Sequence, residues 1–320
     1  MHAVFLDKQT FSSSIDFNAI EREVTKLSCY NMTQTEQVIE RCLDAEIIIT
    51  NKVLLTNEVL KQLPKLKLIC IAATGTNNVD INAAKSLNIA VTNVSGYAGT
   101  SVAQYVFAQI LSYYQQIEHH NNNTALGLWS SSETFCYHGN AIAELAGKSL
   151  GIVGYGNLGQ AVEQIAKAFQ MRVLISERPN AKSIRANRLS FEQVVQQADI
   201  LSLHCPQTPD TEKVINEEVL KQMKASAMLI NTARGALIDN NALLLALQSK
   251  QIAFAALDVL EQEPPPANHL LLNTNLSNLK VTAHIAWASS EAQQRLINLL
   301  AKNITSFKSG TVLNRVDLET

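Results

Sequence analysis

Three glycines carry the first chemical signal in this sequence of 320 residues. Gly154, Gly156 and Gly159 form a G-x-G-x-x-G triplet behind an apolar run and ahead of a helix-like segment. In such a turn the first glycine permits a tight bend and the second lets backbone approach a pyrophosphate. The third lets the helix pack against a sheet. Asn157 and Leu158 open that helix, whose unpaired N–H groups and positive dipole end suit phosphate. Glu177 follows 18 positions after Gly159, near the roughly 20-residue spacing of a ribose-binding carboxylate. Its oxygens can accept from ribose hydroxyls, and its charge would repel a 2′-phosphate. NAD is therefore favoured over NADP, although the neighbouring Arg178 keeps NADP open. A purely structural glycine turn is the ordinary alternative.

Three polar residues in the last third supply a second signal. Arg234 in Asn-Thr-Ala-Arg-Gly, Glu263 in a stretch ending Glu-Pro-Pro, and His284 in Thr-Ala-His-Ile each follow a strand-like run. The C-terminal ends of strands are where open α/β sheets place ligands. Arginine offers a planar fork of donors that matches a carboxylate or a carboxylate–carbonyl pair. Reducing a ketone requires a proton at oxygen while hydride reaches carbon, and histidine can deliver that proton near neutrality. A carboxylate at its other ring nitrogen would orient the imidazole and balance its charge. Alone, such an arginine is usually a surface or ion-pair residue and such a histidine structural. Behind a dinucleotide loop, the three together point to catalysis.

The elements that must position these groups alternate along the chain. Strand-like runs fall at 3–6, 46–50, 68–72 and 89–92, then at 149–153, 172–176, 200–204, 228–231, 254–258 and 280–282. Helix-period segments, for example 158–169 and 242–249, lie between them. This alternation predicts an α/β protein with parallel sheets covered on both faces. A long amphipathic helix is expected over 101–118, followed by a polar stretch at 119–123 and a loop-rich segment to Gly147. Trp129, Phe135 and Tyr137 are expected to pack that segment, and the stripe over 102–111 to be core. Four strands make a thin first domain, so the helix expected at 290–307 should return to it. The expected domains are 1–99 with 290–320 for substrate, and 100–289 for cofactor.

Charge and composition exclude other classes. Lys plus Arg number 26 against 28 for Asp plus Glu, a formal charge of −2 with no basic cluster, so neither nucleic acid nor an anionic membrane is an expected partner. No apolar window is long enough for a membrane span, and the first residues read as a buried strand rather than a signal peptide. Cys29, Cys42, Cys70, Cys136 and Cys205 are scattered and never in a C-x-x-C pair, which suggests reduced thiols in a cytoplasmic protein with no metal site. Cys205 beside His204 hints at a thiolate nucleophile, but no third group orients the pair, and the structural reading is preferred. His119, His120 and His138 show no metal-ligand spacing.

Taken together, these segments resemble the D-isomer-specific 2-hydroxyacid dehydrogenase family over roughly residues 66–300. The likeness is carried by Ala73-Thr74-Gly75-Thr76-Asn77-Asn78-Val79-Asp80, the Gly154 loop, Leu203-His204-Cys205-Pro206-Gln207-Thr208, and the stretches 231–239, 257–265 and 284–289. The stretches 72–80 and 284–289 look most like its glycerate dehydrogenase and hydroxypyruvate reductase branch. The resemblance implies two doubly wound parallel-sheet domains, a Rossmann cofactor domain inserted in a discontinuous flavodoxin-like substrate domain. It implies hydride transfer between NAD and a small 2-hydroxy or 2-oxo acid, with His284 as general acid–base, Glu263 its partner, and Arg234 on the substrate carboxylate and carbonyl. Backbone amides at Thr74 and Gly75 would hold that carboxylate from the other domain, with domain closure excluding water. Asp258 would accept from the nicotinamide carboxamide. Cys205, Pro206, Thr232 and Ala233 would line the cofactor cleft, with His284 also beside the cofactor, and a homodimer is implied.

The chain departs from the family pattern at three places. Gly99 replaces a threonine that often touches the cofactor, Ala283 stands where a proline often precedes the histidine, and His269 stands where a proline often follows asparagine. The missing prolines would soften their loops. Reduction of glyoxylate, of bulkier 2-oxo acids or of a phosphorylated hydroxy acid is the alternative within enzymes. A non-catalytic NADH-sensing regulator is the alternative from another class.

Overall fold

Parallel pairing organises every strand in the computed structural model, which describes residues 1–318. The last two residues of the 290–320 segment lie outside the described residues. The strands β1 (His2–Phe5), β2 (Lys26–Cys29), β3 (Ile47–Thr50), β4 (Leu68–Ile71) and β5 (Ala90–Thr92) form one sheet in the order β2-β1-β3-β4-β5. The second sheet comprises β6 (Ser149–Val153), β7 (Arg172–Ile175), β8 (Ile200–Leu203), β9 (Met228–Asn231), β10 (Phe254–Leu257) and β11 (Leu279–Val281). Its order is β11-β10-β9-β8-β6-β7. Both orders reverse direction inside the sheet, at β1/β3 and at β6/β8, as doubly wound folds of the flavodoxin and Rossmann kinds do. A single parallel bridge from Ser176 to Leu189 extends the second sheet past β7.

Every residue of β3, β4, β6, β8, β9 and β10 is buried. A parallel strand between two helical layers has no solvated face, so its sequence reads as an unbroken apolar run. That is why these strands were visible as runs such as Ile-Ile-Ile-Thr and Met-Leu-Ile-Asn. Three edge strands, β2, β7 and β11, each expose a residue, and β2, Lys-Leu-Ser-Cys, with Lys26 and Cys29 exposed, is the most polar of them. It has no apolar run to betray it, and the first sheet accordingly has five strands, not four.

The chain divides into two compact units, Met1–Ala98 with Trp287 onward, and Gly99–Ala286. In the first unit the helix Ser290–Lys308 buries Leu296, Ile297, Leu300 and Ile304 along one stripe. Its polar side chains dock as well: Gln293 accepts from the Ser12 amide at 2.8 Å, Arg295 donates to the Tyr97 carbonyl at 3.0 Å, and Asn303 donates to the Asn93 carbonyl at 2.9 Å. Phe5, Phe11 and Phe17 meet edge-to-face, and Trp287 continues the cluster onto Phe11 and Tyr97.

In the second unit the expected 101–118 helix runs Gly99–Gln115, with Val102, Ala103, Val106, Phe107 and Ile110 buried. It ends at Gln116, whose φ of 51° turns the chain, and a new helix Ile117–Ala125 follows. The polar stretch 119–123 is therefore helical; with only Asn123 buried, it needs no apolar stripe. Trp129, Phe135 and Tyr137 do not pack a loop interior, being 52%, 91% and 41% exposed. Among the described residues no helix is long and apolar enough to cross a membrane.

The helix Phe191–Gln197 starts with a reciprocal capping box. The Ser190 hydroxyl accepts from the Gln193 amide at 3.2 Å, and the Gln193 side chain accepts from the Ser190 amide at 3.1 Å. Ser190→Ala is expected to cost about 1 kcal/mol, read as a lowered denaturation midpoint in urea, with Ser190→Thr near wild type.

Candidate active site

One row of residues across the second sheet fixes where its loops begin. Val153 pairs with Leu203, Leu203 with Asn231, Asn231 with Leu257, and Leu257 with Val281. Neighbouring strands lie about 4.8 Å apart, so the loops after β9, β10 and β11 leave the same edge within about 10 Å. Those loops carry Arg234, Asp258 with Glu263, and His284. Two strands further along, the loop after β6 carries the glycine triplet.

That triplet fits a dinucleotide. Gly154 has a φ of 96°, and a side chain there would run into the Cys205 backbone; one at Gly159 would meet the Gly154 carbonyl. Nothing lies within 4 Å of where a side chain on Gly156 would stand, so the middle glycine faces open space. The helix Asn157–Ala168 starts at Gly156 with no side-chain cap, which leaves its first-turn N–H groups for an anion. Asn157 and Leu158 are its first two residues. Gly99 lies beside this helix, with room for an ordinary side-chain contact toward Ala161 and the Asn157 carbonyl.

Glu177 follows β7 and is 4% exposed, but its carboxylate is already engaged. It accepts from the Arg178 amide at 2.9 Å, the Arg185 amide at 3.2 Å, Arg185 Nε at 2.7 Å and Arg185 Nη2. The Arg185 guanidinium beside it, with these amides, holds the carboxyl well below the usual carboxylate range.

On the far side of the sheet, Asp258 organises the loop that bears His284. Its backbone carbonyl accepts from the His284 amide at 2.7 Å. Its Oδ1 accepts from the Ile285 amide at 2.9 Å and the Thr282 hydroxyl at 2.6 Å, and its Oδ2 from the Ala286 amide at 2.8 Å. These contacts force three successive amides inward and hold His284 at a φ of 54°. The left-handed conformation costs a non-glycine residue about 1–3 kcal/mol. Three hydrogen bonds to an ionised acceptor contribute about 1.5–3 kcal/mol each, enough to hold the strain even after desolvation takes its share. Tyr105 extends the network, donating to Thr282 while accepting from Gln109 Nε2 at 3.0 Å.

His284 so placed directs Nδ1 at Glu263 Oε2, 2.6 Å away. A carboxylate only accepts, so Nδ1 carries the proton and Nε2 is left for another partner. Glu263 is steadied in turn by the Leu260 amide on its other oxygen, at 3.1 Å. The Arg234 backbone carbonyl accepts from Asn231 Nδ2 at 2.8 Å, and its Nη1 donates to the Ala233 carbonyl at 2.6 Å. Next to it, a side chain on Gly235 would collide with the backbone of Leu260 and Glu261. Glycine there lets the Arg234 loop lie directly against the loop that bears Glu263. His269 ties that second loop further along: it is 6% exposed, lies 3.1 Å from Glu261 Oε2, and its Nδ1 accepts from the Leu271 amide at 3.3 Å. A hydrogen-bonded histidine thus stiffens the stretch where the absent proline suggested softness.

A family model described as D-isomer specific 2-hydroxyacid dehydrogenase, NAD binding domain, matches residues 107–286. The chain belongs to this family. It is an NAD-dependent oxidoreductase of 2-hydroxy acids. It is similar to the glycerate dehydrogenase of Methylorubrum extorquens, 41% identical over 98% of both chains. It is also similar to the hydroxypyruvate reductase of Blautia hydrogenotrophica, 36% identical over 90% of this chain and 89% of that one. Among solved structures, D-lactate dehydrogenase from Aquifex aeolicus, complexed with NAD and lactic acid, is 26% identical with a TM-score of 0.83, covering 99% of this chain and all of that one.

The remaining expected site residues of this dehydrogenase fall at strand ends. Thr74 and Gly75 follow β4 in the first unit, where the Thr74 hydroxyl donates to the Val94 carbonyl at 2.9 Å. Cys205 and Pro206 follow β8. Burial pushes the Cys205 thiol up to about 11 and the His204 imidazole down to about 4, so this pair has neither a thiolate nor an imidazolium to offer. Thr232 and Ala233 are buried after β9, Ala233 donating to Asn231 Oδ1 at 3.0 Å. Three contributors were not read from the sequence: Thr282, Tyr105 and Arg185. Thr282 had a signal, lying two residues before His284. Tyr105 and Arg185 had none, because only folding brings them to Thr282 and Glu177.

The Asp258 clamp is testable. In Asp258→Asn one oxygen becomes an NH2 group, and in either orientation that group faces an amide N–H, at Ile285 or at Ala286. The clash of donors is expected to cost about 1–3 kcal/mol of stability, with hydrogen exchange at residues 284–286 accelerated more than at β9. Unchanged exchange there would remove Asp258 from this role.

Proposed function

We propose that this dehydrogenase interconverts glycerate and hydroxypyruvate, with His284 as general acid and base, Glu263 as its partner and Arg234 as the substrate's anchor. The observation that carries the chemistry is the 2.6 Å pair of His284 Nδ1 and Glu263 Oε2. With Nδ1 committed to the carboxylate, Nε2 is the atom that exchanges a proton with the oxygen on carbon 2. In reduction His284 donates that proton, and in oxidation it withdraws it; Glu263 balances the ring's charge at each turn. The Arg234 fork suits the carboxylate and the adjacent oxygen, which a lysine could not span in the same way. The bound dinucleotide would supply the hydride for carbon 2 as NADH in reduction and accept it as NAD in oxidation.

The same reading assigns Gly154, Gly156, Asn157, Leu158 and Gly159 to the pyrophosphate and Glu177 to the adenosine ribose. Cys205, Pro206, Thr232 and Ala233 line the cofactor, and Asp258 serves the carboxamide besides its own loop. The amides of Thr74 and Gly75 are assigned to the substrate carboxylate. The choice of substrate draws on the names of the two relatives at 41% and 36% identity. A regulator that only sensed NADH would need the glycine loop alone, and the paired His284 and Glu263 weigh against it. The five unpaired cysteines support a reducing compartment, which we take to be the cytoplasm. A homodimer is part of the proposal. It is supported by Ile117, Leu126, Phe135 and Ile142, each at least 59% exposed within one short segment of the second unit.

Turnover of a panel of 2-oxo acids tests the substrate: hydroxypyruvate should give the highest kcat/KM with NADH, ahead of glyoxylate and pyruvate. A preference for glyoxylate would overturn the choice of acid, and no turnover of any would overturn the reading as a whole. His284→Ala is expected to lower kcat by about 10²–10⁴-fold while NADH still binds, and near-normal turnover would exclude His284. For the assembly, light scattering should give the mass of two chains, and Leu126→Asp with Phe135→Asp the mass of one.

A further inference from the structure

The segment from Glu177 to Arg188 holds one acid and four bases: Arg178, Lys182, Arg185 and Arg188. Glu177 sits at the end of β7, where the proposed function puts the adenosine ribose, and an unopposed carboxylate there would favour an unphosphorylated ribose. This carboxylate is not unopposed. Its two oxygens offer about four lone-pair positions, and the amides of Arg178 and Arg185 with Nε and Nη2 of Arg185 supply four donors. Arg188 adds a second guanidinium, its Nη1 3.9 Å from Glu177 Oε1 and also donating to the Ser176 carbonyl at 3.3 Å. The Arg188 guanidinium rests over the ring of Tyr155, 5.7 Å from its centroid, and Tyr155 belongs to the glycine loop itself. The nearest other acid on that loop's helix, Glu163, is bonded to the Tyr155 hydroxyl and to Lys167, and it does not offset these cations.

We propose that Arg185 is the residue that sets dinucleotide preference, and that the ribose site it shares with Glu177 takes a 2′-phosphorylated dinucleotide as well as NAD. The inference rests on the ribose lying at Glu177. Two arrangements of one side chain account for both ligands. With NAD, Arg185 swings outward, which its 55% exposure permits, and the freed carboxylate accepts from the ribose hydroxyls. With a 2′-phosphate, Arg185 stays paired and Glu177 is neutralised in place. The guanidiniums of Arg178, Arg185 and Arg188 then face the phosphate with an excess of positive charge, and planar forks match its oxygens. An Arg185 that merely stiffened its loop would affect both dinucleotides alike.

Equilibrium binding to the intact protein tests this without turnover. NADH and NADPH are titrated by fluorescence, and 5′-AMP and adenosine 2′,5′-bisphosphate by calorimetry. The wild type should bind NADPH within about tenfold of NADH, a gap of one charge-assisted hydrogen bond or less. NADPH and the bisphosphate should weaken with added salt more steeply than NADH and 5′-AMP. Arg185→Gln should raise the Kd for NADPH about tenfold or more while NADH binding is held or tightened, and Arg185→Lys should fall between. A wild type that rejects NADPH, with Glu177→Ala relaxing the rejection, would overturn the proposal and leave the ribose where it was put. Equal weakening of both dinucleotides in Arg185→Gln would show a structural role and also overturn it. If neither Glu177→Ala nor Arg185→Gln moved any of the four ligands, the ribose would lie elsewhere, and placement and proposal would fail together.

Discussion

The buried carboxylate of Asp258 holds the His284 loop in a shape the loop would not take unaided. It lies one residue beyond β10 and collects the Thr282 hydroxyl and the amides of Ile285 and Ala286, while its own carbonyl takes the amide of His284. An acid buried this deeply must be satisfied, because an unpaired charge in a protein interior is among the most costly arrangements available. Here the satisfaction comes from the backbone next to His284. The burial of Asp258 and the geometry of the His284 loop are therefore served by the same hydrogen bonds. His284 is strained, and the strain persists because releasing it would withdraw the Ile285 and Ala286 amides from a buried carboxylate.

The rest follows from register. Parallel strands that start their loops from one row deliver whatever those loops carry to one edge of the sheet, and in this second unit they carry a guanidinium, an imidazole with its carboxylate, and a glycine-rich turn. Glycine sets the closest approaches. Gly154 admits the Cys205 backbone, and Gly235 admits the backbone of Leu260 and Glu261, so loops that would otherwise be separated by side chains touch directly. The proposed function joins the dehydrogenase family membership to the hydrogen-bonded pair at His284.

Much of this was legible in the sequence because burial on two faces writes itself as apolar runs. Eight of the strands announced themselves in that way. The edge strands β7 and β11 kept enough apolar residues to be read despite the exposed Arg172 and Lys280, and the helices with one buried stripe were read as well. The strand Lys26–Cys29 was not, since an exposed edge asks for no apolar pattern. The helix Ile117–Ala125 was hidden for a similar reason: its composition is polar nearly all round, and only the left-handed turn at Gln116 separates it from the helix before it. Aromatic type misled at Trp129 and Phe135, whose exposure no local pattern reveals. For the site, Arg234, Glu263 and His284 could be picked out by type and by their position after strands, and the 2.6 Å pairing of the last two came only with the fold. Glu177 shows the limit most clearly. Its spacing from the glycines was informative, but whether its oxygens are free to meet a ligand depends on Arg185, eight residues further on across a loop of no regular structure.

A crystal structure of the protein with NAD and a 2-hydroxy acid bound would examine the whole account at one point. The account predicts the hydroxyl on carbon 2 within hydrogen-bond distance of His284 Nε2, with Nδ1 still on Glu263, residues 284–286 still closed around Asp258, and the carboxylate on the Arg234 fork. A bound acid whose hydroxyl met some other proton carrier, with the His284 ring turned away from Glu263, would contradict it.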